Sequence, residues 1–408
     1  MTLLHLAWRN LRRNKRRTLL TSIALTIGLI VLINSRGMLN GIDQQSLQNL
    51  IDYDVAYGKG FAKGYLDTDF PGLDYTFQGA DSLARCLSLI KDVTAATPRL
   101  EMTGMLIYKG NELPVKVVGV DPLRDKEVFK TLSAVVDGQS LTSDNSAVLV
   151  GDLLAGDMSL AVGDMVTVLV RSAPGALNPK FLPVSGIIAS GHPKVDQFSV
   201  FLPLSTAREM ALLPDSATEI AIQNANIRYA DRIIKKLRSA YPELEWHTWD
   251  DLARDFLAYA RLKRMGSGIV ISIFALLAAV GVANTMAMAV HERTREIGTL
   301  RAMGFSSSQI GKIFIYEGLL IGVISGTFAV IIGSTTISIL GIHGISLAMW
   351  GDMDIGYPVR DAIYPTIKVS SLIWSFIFGI AISLLASWGA ARRAASGEVV
   401  RALREGIL

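Results

Sequence analysis

The sequence has little cysteine and little charge. A single cysteine, Cys86, occurs among 408 residues. One cysteine cannot form an internal disulfide, so each domain must be stabilised by its own core. Charged residues make up only 19% of the chain whereas hydrophobic residues make up 50%, an apolar content that is high for a soluble protein. An integral membrane protein is therefore the first hypothesis.

Several catalytic signatures are also missing. No G-x-x-x-x-G-K-[ST] phosphate loop occurs, so these residues do not hydrolyse ATP through that cradle. No H-E-x-x-H occurs, and the five histidines are scattered without ligand spacing, which argues against zinc chemistry. No G-x-S-x-G nucleophile elbow occurs either. The sequence therefore predicts no enzymatic activity, metal ion or cofactor in this chain.

Four apolar runs are long enough to cross a bilayer, which needs roughly 20 apolar residues in a helix. We predict transmembrane helices at residues 18–36, 266–290, 310–340 and 369–391. The first run could also be a cleaved secretory signal. Since no small-x-small cleavage site follows it, a retained anchor is favoured.

The charges flanking these runs predict the orientation. Six cations and no acid precede the first run: Arg9, Arg12, Arg13, Lys15, Arg16 and Arg17. The loop at residues 341–368 is instead dominated by Asp352, Asp354 and Asp361. By the positive-inside rule, residues 1–17 form a cytoplasmic basic helix, and the basic tail at residues 392–408 returns to the cytoplasm. Nucleic-acid binding is disfavoured because the basic run abuts a span directly.

Residues 37–265 are long enough for an extracytoplasmic domain with its own core. Apolar patterning predicts strands at residues 114–120, 147–150, 164–170, 181–189, 199–202 and 219–223, and helices at 80–91 and 229–240. Residues 42–51 and 249–264 have helical spacing beside the first two spans, either as stalk helices or as ordinary helices at the base of the domain. The predicted fold is an α-helical membrane protein with four transmembrane helices plus a large α+β extracytoplasmic domain.

Two features of the third span are notable. Gly318, Gly322 and Gly326 recur every four residues and predict close helix packing. Glu317 is a carboxylate at membrane depth, which is a functional candidate by default. Its position within reach of Lys312 or Arg301 favours a structural partner role over proton handling, so we expect Glu317→Gln to leave activity largely unchanged.

The connection between the second and third spans, residues 291–309, is the most informative segment and reads HERTREIGTLRAMGFSSSQ. A short charged helix that ends at a glycine, followed by a serine cap, would present Ile297, Leu300 and Met303 as an apolar ridge. Such a ridge could dock a partner or pack on the membrane surface. The residues alone leave both interpretations open.

This connection resembles the E-R-T-x-E-I-G-x-L-R-A-x-G signature of the FtsX/MacB-type (type VII) permease superfamily of ABC transporters. The resemblance continues through YEGLLIG at residues 316–322, the basic helix LAWRNLRRNKRRT at 6–18 and the tail at 390–404. It implies that residues 291–309, the coupling segment, sit on an ATPase subunit. The implied coupling residues are Glu292, Arg293, Arg295, Glu296, Ile297, Leu300, Arg301 and Met303.

The resemblance also implies partners and a location. Two permease subunits, identical or paralogous, would stand above two ATPase subunits that bind ATP and magnesium. ATP-driven closure would move the outer domains, a mode called mechanotransmission. The chain would lie in a bacterial inner membrane in contact with lipid, with a periplasmic outer domain, and nucleic acid is not an expected partner.

The substrate expectation rests on a narrower resemblance. A chain of 408 residues without a fused ATPase, and the segment at residues 55–69, are similar to the LolC/LolE lipoprotein-releasing group. Lipoproteins would then be extracted from the outer leaflet and passed to a periplasmic acceptor. By analogy the cargo would enter past Leu25, Leu29, Leu32, Ile33, Met38, Ile273, Leu276 and Leu277.

Three alternatives remain. A MacB-like efflux permease would act with a periplasmic adaptor, and an FtsX-like regulator would activate a cell-wall hydrolase. An enzyme would need a polar pocket in the outer domain, for which the sequence offers no support.

Overall fold

The computed structural model describes residues 3–68, 71–143, 146–224, 226–346 and 362–396. These residues form two units. The helical unit takes its described residues from 3–43, 260–345 and 363–396, and the globular unit from 44–259 with residues 346 and 362. The loop acids Asp352, Asp354 and Asp361, and the tail residues from 397 onward with Arg401 and Arg404, lie outside the described residues.

The described helices are α1 (Leu3–Arg13), α2 (Lys15–Leu50), α3 (Ala80–Ser88), α4 (Asp125–Val128), α5 (Asp152–Met158), α6 (Pro193–Phe198), α7 (Leu204–Ala211), α8 (Ala230–Ala240), α9 (Trp249–Leu252), α10 (Arg254–Glu292), α11 (Thr294–Ala302), α12 (Ser307–His343) and α13 (Val369–Ser396). The described strands are β1 (Gly58–Ala62), β2 (Phe77–Gln78), β3 (Val93–Tyr108), β4 (Asn111–Val120), β5 (Val135–Gly138), β6 (Val148–Gly151), β7 (Met165–Arg171), β8 (Leu177–Ile188), β9 (Ser199–Pro203), β10 (Ser216–Ala217), β11 (Glu219–Asn224), β12 (Leu244–Thr248), β13 (Ile345–Ser346) and β14 (Ala362–Ile363).

Of the helices that the structure describes, four are long and apolar enough to cross a membrane: α2, α10, α12 and α13. Each contains an 18-residue window whose mean hydropathy is between 2.0 and 2.3. Even α13, the shortest, has 28 residues. At 1.5 Å per residue it is about 42 Å long, which exceeds the ~30 Å hydrocarbon core. The four predicted spans thus lie on four helices of sufficient length.

The glycine stripe of α12 lies against α13. A Cβ on Gly322 would be 2.9 Å from Ile380 Cα, and one on Gly326 would be 2.8 Å from the Phe376 ring. A Cβ on Gly318 would overlap the Ser387 side chain. Ser383 Oγ also donates a hydrogen bond of 2.7 Å to the Gly318 carbonyl. The missing side chains therefore allow the two backbones to approach closely.

The globular unit is built on a mixed sheet. In its described residues ten strands join in the order β12-β1-β11-β3-β4-β9-β6-β8-β5, with β7 pairing β3 and β8. The β4/β9 and β6/β8 pairs are parallel, and the other pairs are antiparallel. Lys109 and Gly110 join β3 to β4, and both have positive φ, as a two-residue hairpin turn requires.

The six predicted strands and the two predicted helices of this unit are confirmed, as β4, β6, β7, β8, β9 and β11 and as α3 and α8. Four sheet strands, β1, β3, β5 and β12, were not predicted. Pro98 and Gly104 interrupt the apolar pattern of β3. Gly60 in β1 is required by packing, because a Cβ there would be 3.0 Å from the Trp246 ring.

We predict that Gly322→Val lowers the stability of the helical unit by about 1–3 kcal/mol, because the added side chain forces α12 away from α13. Gly389→Val is the matched control, since a Cβ at Gly389 meets nothing within 4 Å. Thermal unfolding of the purified chain in detergent measures both. Equal melting temperatures for the two variants would contradict the close α12–α13 contact.

Candidate functional site

The coupling segment consists of one short helix and a capped turn between two long helices. After α10 ends at Glu292, α11 runs from Thr294 to Ala302. Gly304 then adopts a φ of +93°, which favours glycine. The predicted serine cap is Ser306, whose hydroxyl accepts from the Gln309 amide at 3.2 Å while Gln309 accepts from the Ser306 amide at 2.8 Å. This capping box starts α12.

A buried ion pair holds the coupling segment in place. Arg293, at the junction of α10 and α11, donates to Glu317 of α12 at 2.7 Å. The side chains are 5% and 0% exposed. Asn10 of α1 donates its side-chain amide to the same Glu317 oxygen at 2.8 Å and accepts from Arg293 at its carbonyl at 3.1 Å. Three segments distant in the sequence thus meet at one carboxylate.

This cluster corrects two expectations. Glu317 pairs with Arg293 and Asn10, not with Lys312 or Arg301. Arg301 instead donates to the Ser307 hydroxyl and to the Ala395 carbonyl. Arg293, predicted to couple to an ATPase, is turned inward and is not available at the surface. The sequence separation of 307 residues between Asn10 and Glu317 explains why local spacing did not predict the contact.

The two glutamates of the coupling segment pair with the N-terminal region. Arg13 Nη2 lies 2.5 Å from Glu296, and Arg17 Nη1 lies 3.2 Å from Glu292. Both glutamate side chains remain about half exposed, at 50% and 49%. They are therefore partly satisfied within the chain and still accessible from outside. The basic run before the first span thus supplies counter-charges that the sequence analysis did not assign.

The predicted apolar ridge is wrong for Ile297. This side chain is 8% exposed and packs in a cluster with Ala289, Ile310, Phe314, Ala391 and Ala394. Leu300 is half-buried, and only Met303 is well exposed, at 64%. The physical reason is that α11 folds back on the ends of α10, α12 and α13, so its apolar face completes their packing. Met303 follows the end of α11 and points away from it, and Arg295 is exposed as well.

The residues expected along the substrate path divide into two groups. Leu25, Leu29, Leu32 and Ile33 of α2 are buried in the core of the helical unit. Leu25, Leu29 and Leu32 also line a small cavity of about 60 Å³ between α2 and α10. Met38 is half-buried. Ile273, Leu276 and Leu277 of α10 are exposed, at 54%, 65% and 62%. Of this set only the three α10 residues are well exposed, and the substrate path stays a prediction.

The globular unit contains a cavity with charged side chains in its wall, which the sequence analysis did not expect. Its volume is about 570 Å³, and five carboxylate and lysine side chains line it: Asp54, Lys59, Glu101, Lys116 and Glu219. Lys59 donates to both oxygens of Glu219, at 2.8 and 2.7 Å, across the β1–β11 pair. Lys116 lies 2.6 Å from Glu101 across the β3–β4 pair. Adjacent strands therefore place opposite charges together.

Electrostatics in this cavity stabilise the charged forms of Lys116 and Glu101 but not that of Glu219. Burial disfavours the charged form of Lys116, but Glu101 and Asp54 outweigh it and raise its pKa. Burial also opposes ionisation of Glu101, yet Lys116 and Lys59 lower its pKa. The pKa of Glu219 is raised, first by burial and then by Glu101. In the described residues no group of three His, Cys, Asp or Glu side chains could hold a metal ion.

Comparisons with known proteins match both units. The FtsX-like permease C-terminal family matches residues 268–399, and the MacB-like periplasmic core domain family matches residues 18–240. The lipoprotein-releasing system transmembrane protein LolC of Haemophilus influenzae is 20% identical over 403 residues, which are 95% of this chain and 93% of that protein.

Two further matches involve MacB proteins. The macrolide export ATP-binding/permease protein MacB of Acinetobacter baylyi is 23% identical over 416 residues, which cover 97% of this chain but 58% of that protein. The periplasmic region of MacB from Actinobacillus actinomycetemcomitans, a crystal structure, covers 52% of this chain at 15% identity with a TM-score of 0.37.

The buried pair revises our expectation for Glu317. Glu317→Gln leaves the Arg293 charge buried without a counter-charge, so we predict a loss of about 3–5 kcal/mol of stability. Arg293→Gln should cost a similar amount, whereas the double variant Arg293→Gln/Glu317→Gln should be more stable than either single variant. A double-mutant cycle by denaturant unfolding in detergent measures this. Strictly additive losses would contradict the pair.

Proposed function

Since the chain belongs to the FtsX/MacB-type permease superfamily of ABC transporters, we propose that it is a permease subunit whose coupling segment docks a separate ATPase subunit. The observation that carries this proposal is the buried Arg293–Glu317–Asn10 cluster. It fixes α11 against α1 and α12, and a rigid segment is what a docking element needs to pass on a movement of its partner. ATP and magnesium would be bound by that partner.

The docking surface consists of the exposed side of the segment. Arg295 is exposed and Met303 is 64% exposed. Glu292 and Glu296 lie half exposed beside them, each with an arginine from α1 or α2. A partner with an apolar pocket and charges of both signs would fit this surface. Leu300 and Arg301 contribute from partly buried positions.

We propose that motion is transmitted mechanically along α2 and α10. At 1.5 Å per residue their 36 and 39 residues measure about 54 and 58 Å, well beyond the ~30 Å of a bilayer core. Asp43 of α2 and Arg264 of α10 form an ion pair of 2.8 Å beyond the apolar stretches. The two helices are thus tied together where the predicted stalk begins. This arrangement supports the stalk interpretation over two unconnected helices.

A second permease subunit, identical or paralogous, is part of the proposal. Only 6% of the most apolar window of α10 is buried within the chain. Ile273, Leu276 and Leu277 belong to this uncovered face. A second subunit would cover it, and cargo could enter between the two subunits there.

For the cargo we propose lipoproteins in the outer leaflet of a bacterial inner membrane, passed on to a periplasmic acceptor. The similarity to LolC over nearly the full length of both chains supports this choice. Efflux with a periplasmic adaptor is the second candidate, because MacB matches at comparable identity. Both candidates place the two termini in the cytoplasm, as the cations of α1 suggest.

The docking surface can be tested with charge and polarity changes on its exposed side. Arg295→Glu/Met303→Asp should abolish copurification of the ATPase with the permease while membrane insertion persists, because neither side chain supports the fold. Lys312→Glu, an exposed change on α12 next to the segment, is the control. Undiminished copurification with the double variant would show that the ATPase docks elsewhere.

The roles of Glu296 within the chain and toward a partner can be separated. Glu296→Arg alone should break its pair with Arg13 and also weaken ATPase binding. The charge swap Arg13→Glu/Glu296→Arg restores the internal pair and should recover thermal stability but not ATPase binding. Recovery of both would mean that Glu296 serves only the internal pair.

Reconstitution in liposomes with the ATPase and a labelled lipoprotein tests the cargo. We expect ATP-dependent release of the lipoprotein to a soluble acceptor. ATP turnover without release would exclude lipoproteins and favour efflux, which a labelled macrolide in the same liposomes would then test.

A further inference from the structure

The helical unit has an open groove on the side formed by α1, α2 and α12. Its volume is about 520 Å³, and nearly all of its surface is apolar. Two ridges of residues spaced by four form the walls: Leu19, Ile23 and Ile27 on α2, and Ile324, Phe328 and Ile332 on α12. Ser325 donates to the Ser22 carbonyl at 3.2 Å, which keeps α2 and α12 side by side at the base.

One end of the groove is cationic. Arg12 and Lys15 line it there, next to Trp8, whose side chain is 44% exposed. Arg13 and Arg17 in the same region pair with glutamates. Arg12 and Lys15, in contrast, are exposed and have no acidic partner in the described part of the chain. The groove therefore has two cations without an acidic partner at one end and apolar walls along the rest of its length.

The dimensions and the position match one leaflet of a membrane. From Lys15 to Ile30 the groove follows 15 residues of α2, or about 22 Å. Half of a hydrocarbon core is about 15 Å, so the groove spans the acyl region of a leaflet together with its headgroup zone. Tryptophan beside the cations is typical of that zone.

We propose that this groove is a binding site for an anionic phospholipid. The phosphate is held by Arg12 and Lys15, and an acyl chain lies between the α2 and α12 ridges. An anionic lipid fits both parts of the groove, because its phosphate pairs with the cations and its acyl chain covers the apolar walls. The proposal rests on the membrane-spanning part of the proposed function and is independent of the ATPase and of the cargo.

Native mass spectrometry of the purified full-length chain, titrated with dioleoyl phosphatidylglycerol or dioleoyl phosphatidylcholine, tests the site. We expect phosphatidylglycerol to be retained preferentially. Arg12→Gln/Lys15→Gln should weaken its binding about tenfold or more, since each cation near the headgroups contributes to attraction. Arg16→Gln, which removes an exposed charge outside the groove, should have little effect.

A steric variant tests the apolar walls separately. Ile27→Trp should fill the groove and reduce retention of both lipids, whereas Leu385→Trp, at an exposed site on α13 outside the groove, should not. Equal retention of the two lipids by the unmodified chain, or unchanged retention by the double charge variant, would overturn the proposal. A change in the monomer-to-dimer ratio with unchanged lipid occupancy would overturn it in favour of a second copy.

The same variants can be assayed for ATPase copurification. Lipid selectivity in a chain that fails to bind the ATPase would separate a failure of the proposed function from a failure of this site. Lost lipid selectivity with normal ATPase binding would show that this site is wrong while the proposed function still holds.

Discussion

The buried ion pair between Arg293 and Glu317 is the contact on which the arrangement of the helical unit depends. Removing a charge from water costs several kcal/mol, and only a close partner with further hydrogen bonds offsets that cost. Asn10 supplies those bonds from α1 through both its side chain and its carbonyl. The position of α1, the junction of α10 with α11 and the first turns of α12 are therefore set together.

The proposed docking surface therefore depends on residues from more than one helix. Glu292 and Glu296 face outward but are neutralised by Arg17 and Arg13. A partner that binds α11 therefore also pulls on α1 and α2 through charge pairs. The apolar face of α11 packs through Ile297 against the ends of α10, α12 and α13. A movement of the coupling segment would therefore also move α1 and α2, and it would move α13 through the contacts of Ile297.

Features encoded by local pattern were predictable, and features created by distant contacts were not. Run length alone located the four long apolar helices, and the spacing of Gly318, Gly322 and Gly326 indicated a packed face. In the globular unit, short apolar runs located six strands, but β3 was missed because Pro98 and Gly104 break its pattern. The partner of Glu317 and the burial of Ile297 depend on tertiary contacts that no local spacing records. The coupling segment itself was found through resemblance, and the cavity around Lys59 and Glu219 was not foreseen.

The sequence positions of the buried pair have a consequence for biosynthesis. Arg293 is made 24 residues before Glu317, whereas Asn10 precedes Glu317 by 307 residues. Because Glu317 follows Arg293 in the chain, the buried pair can form only after the first turns of α12 have been synthesised. The contacts of Asn10 in α1 can likewise form only after Arg293 and Glu317 have been synthesised. The cluster is therefore completed late in synthesis, since Arg293 and Glu317 lie 283 and 307 residues after Asn10.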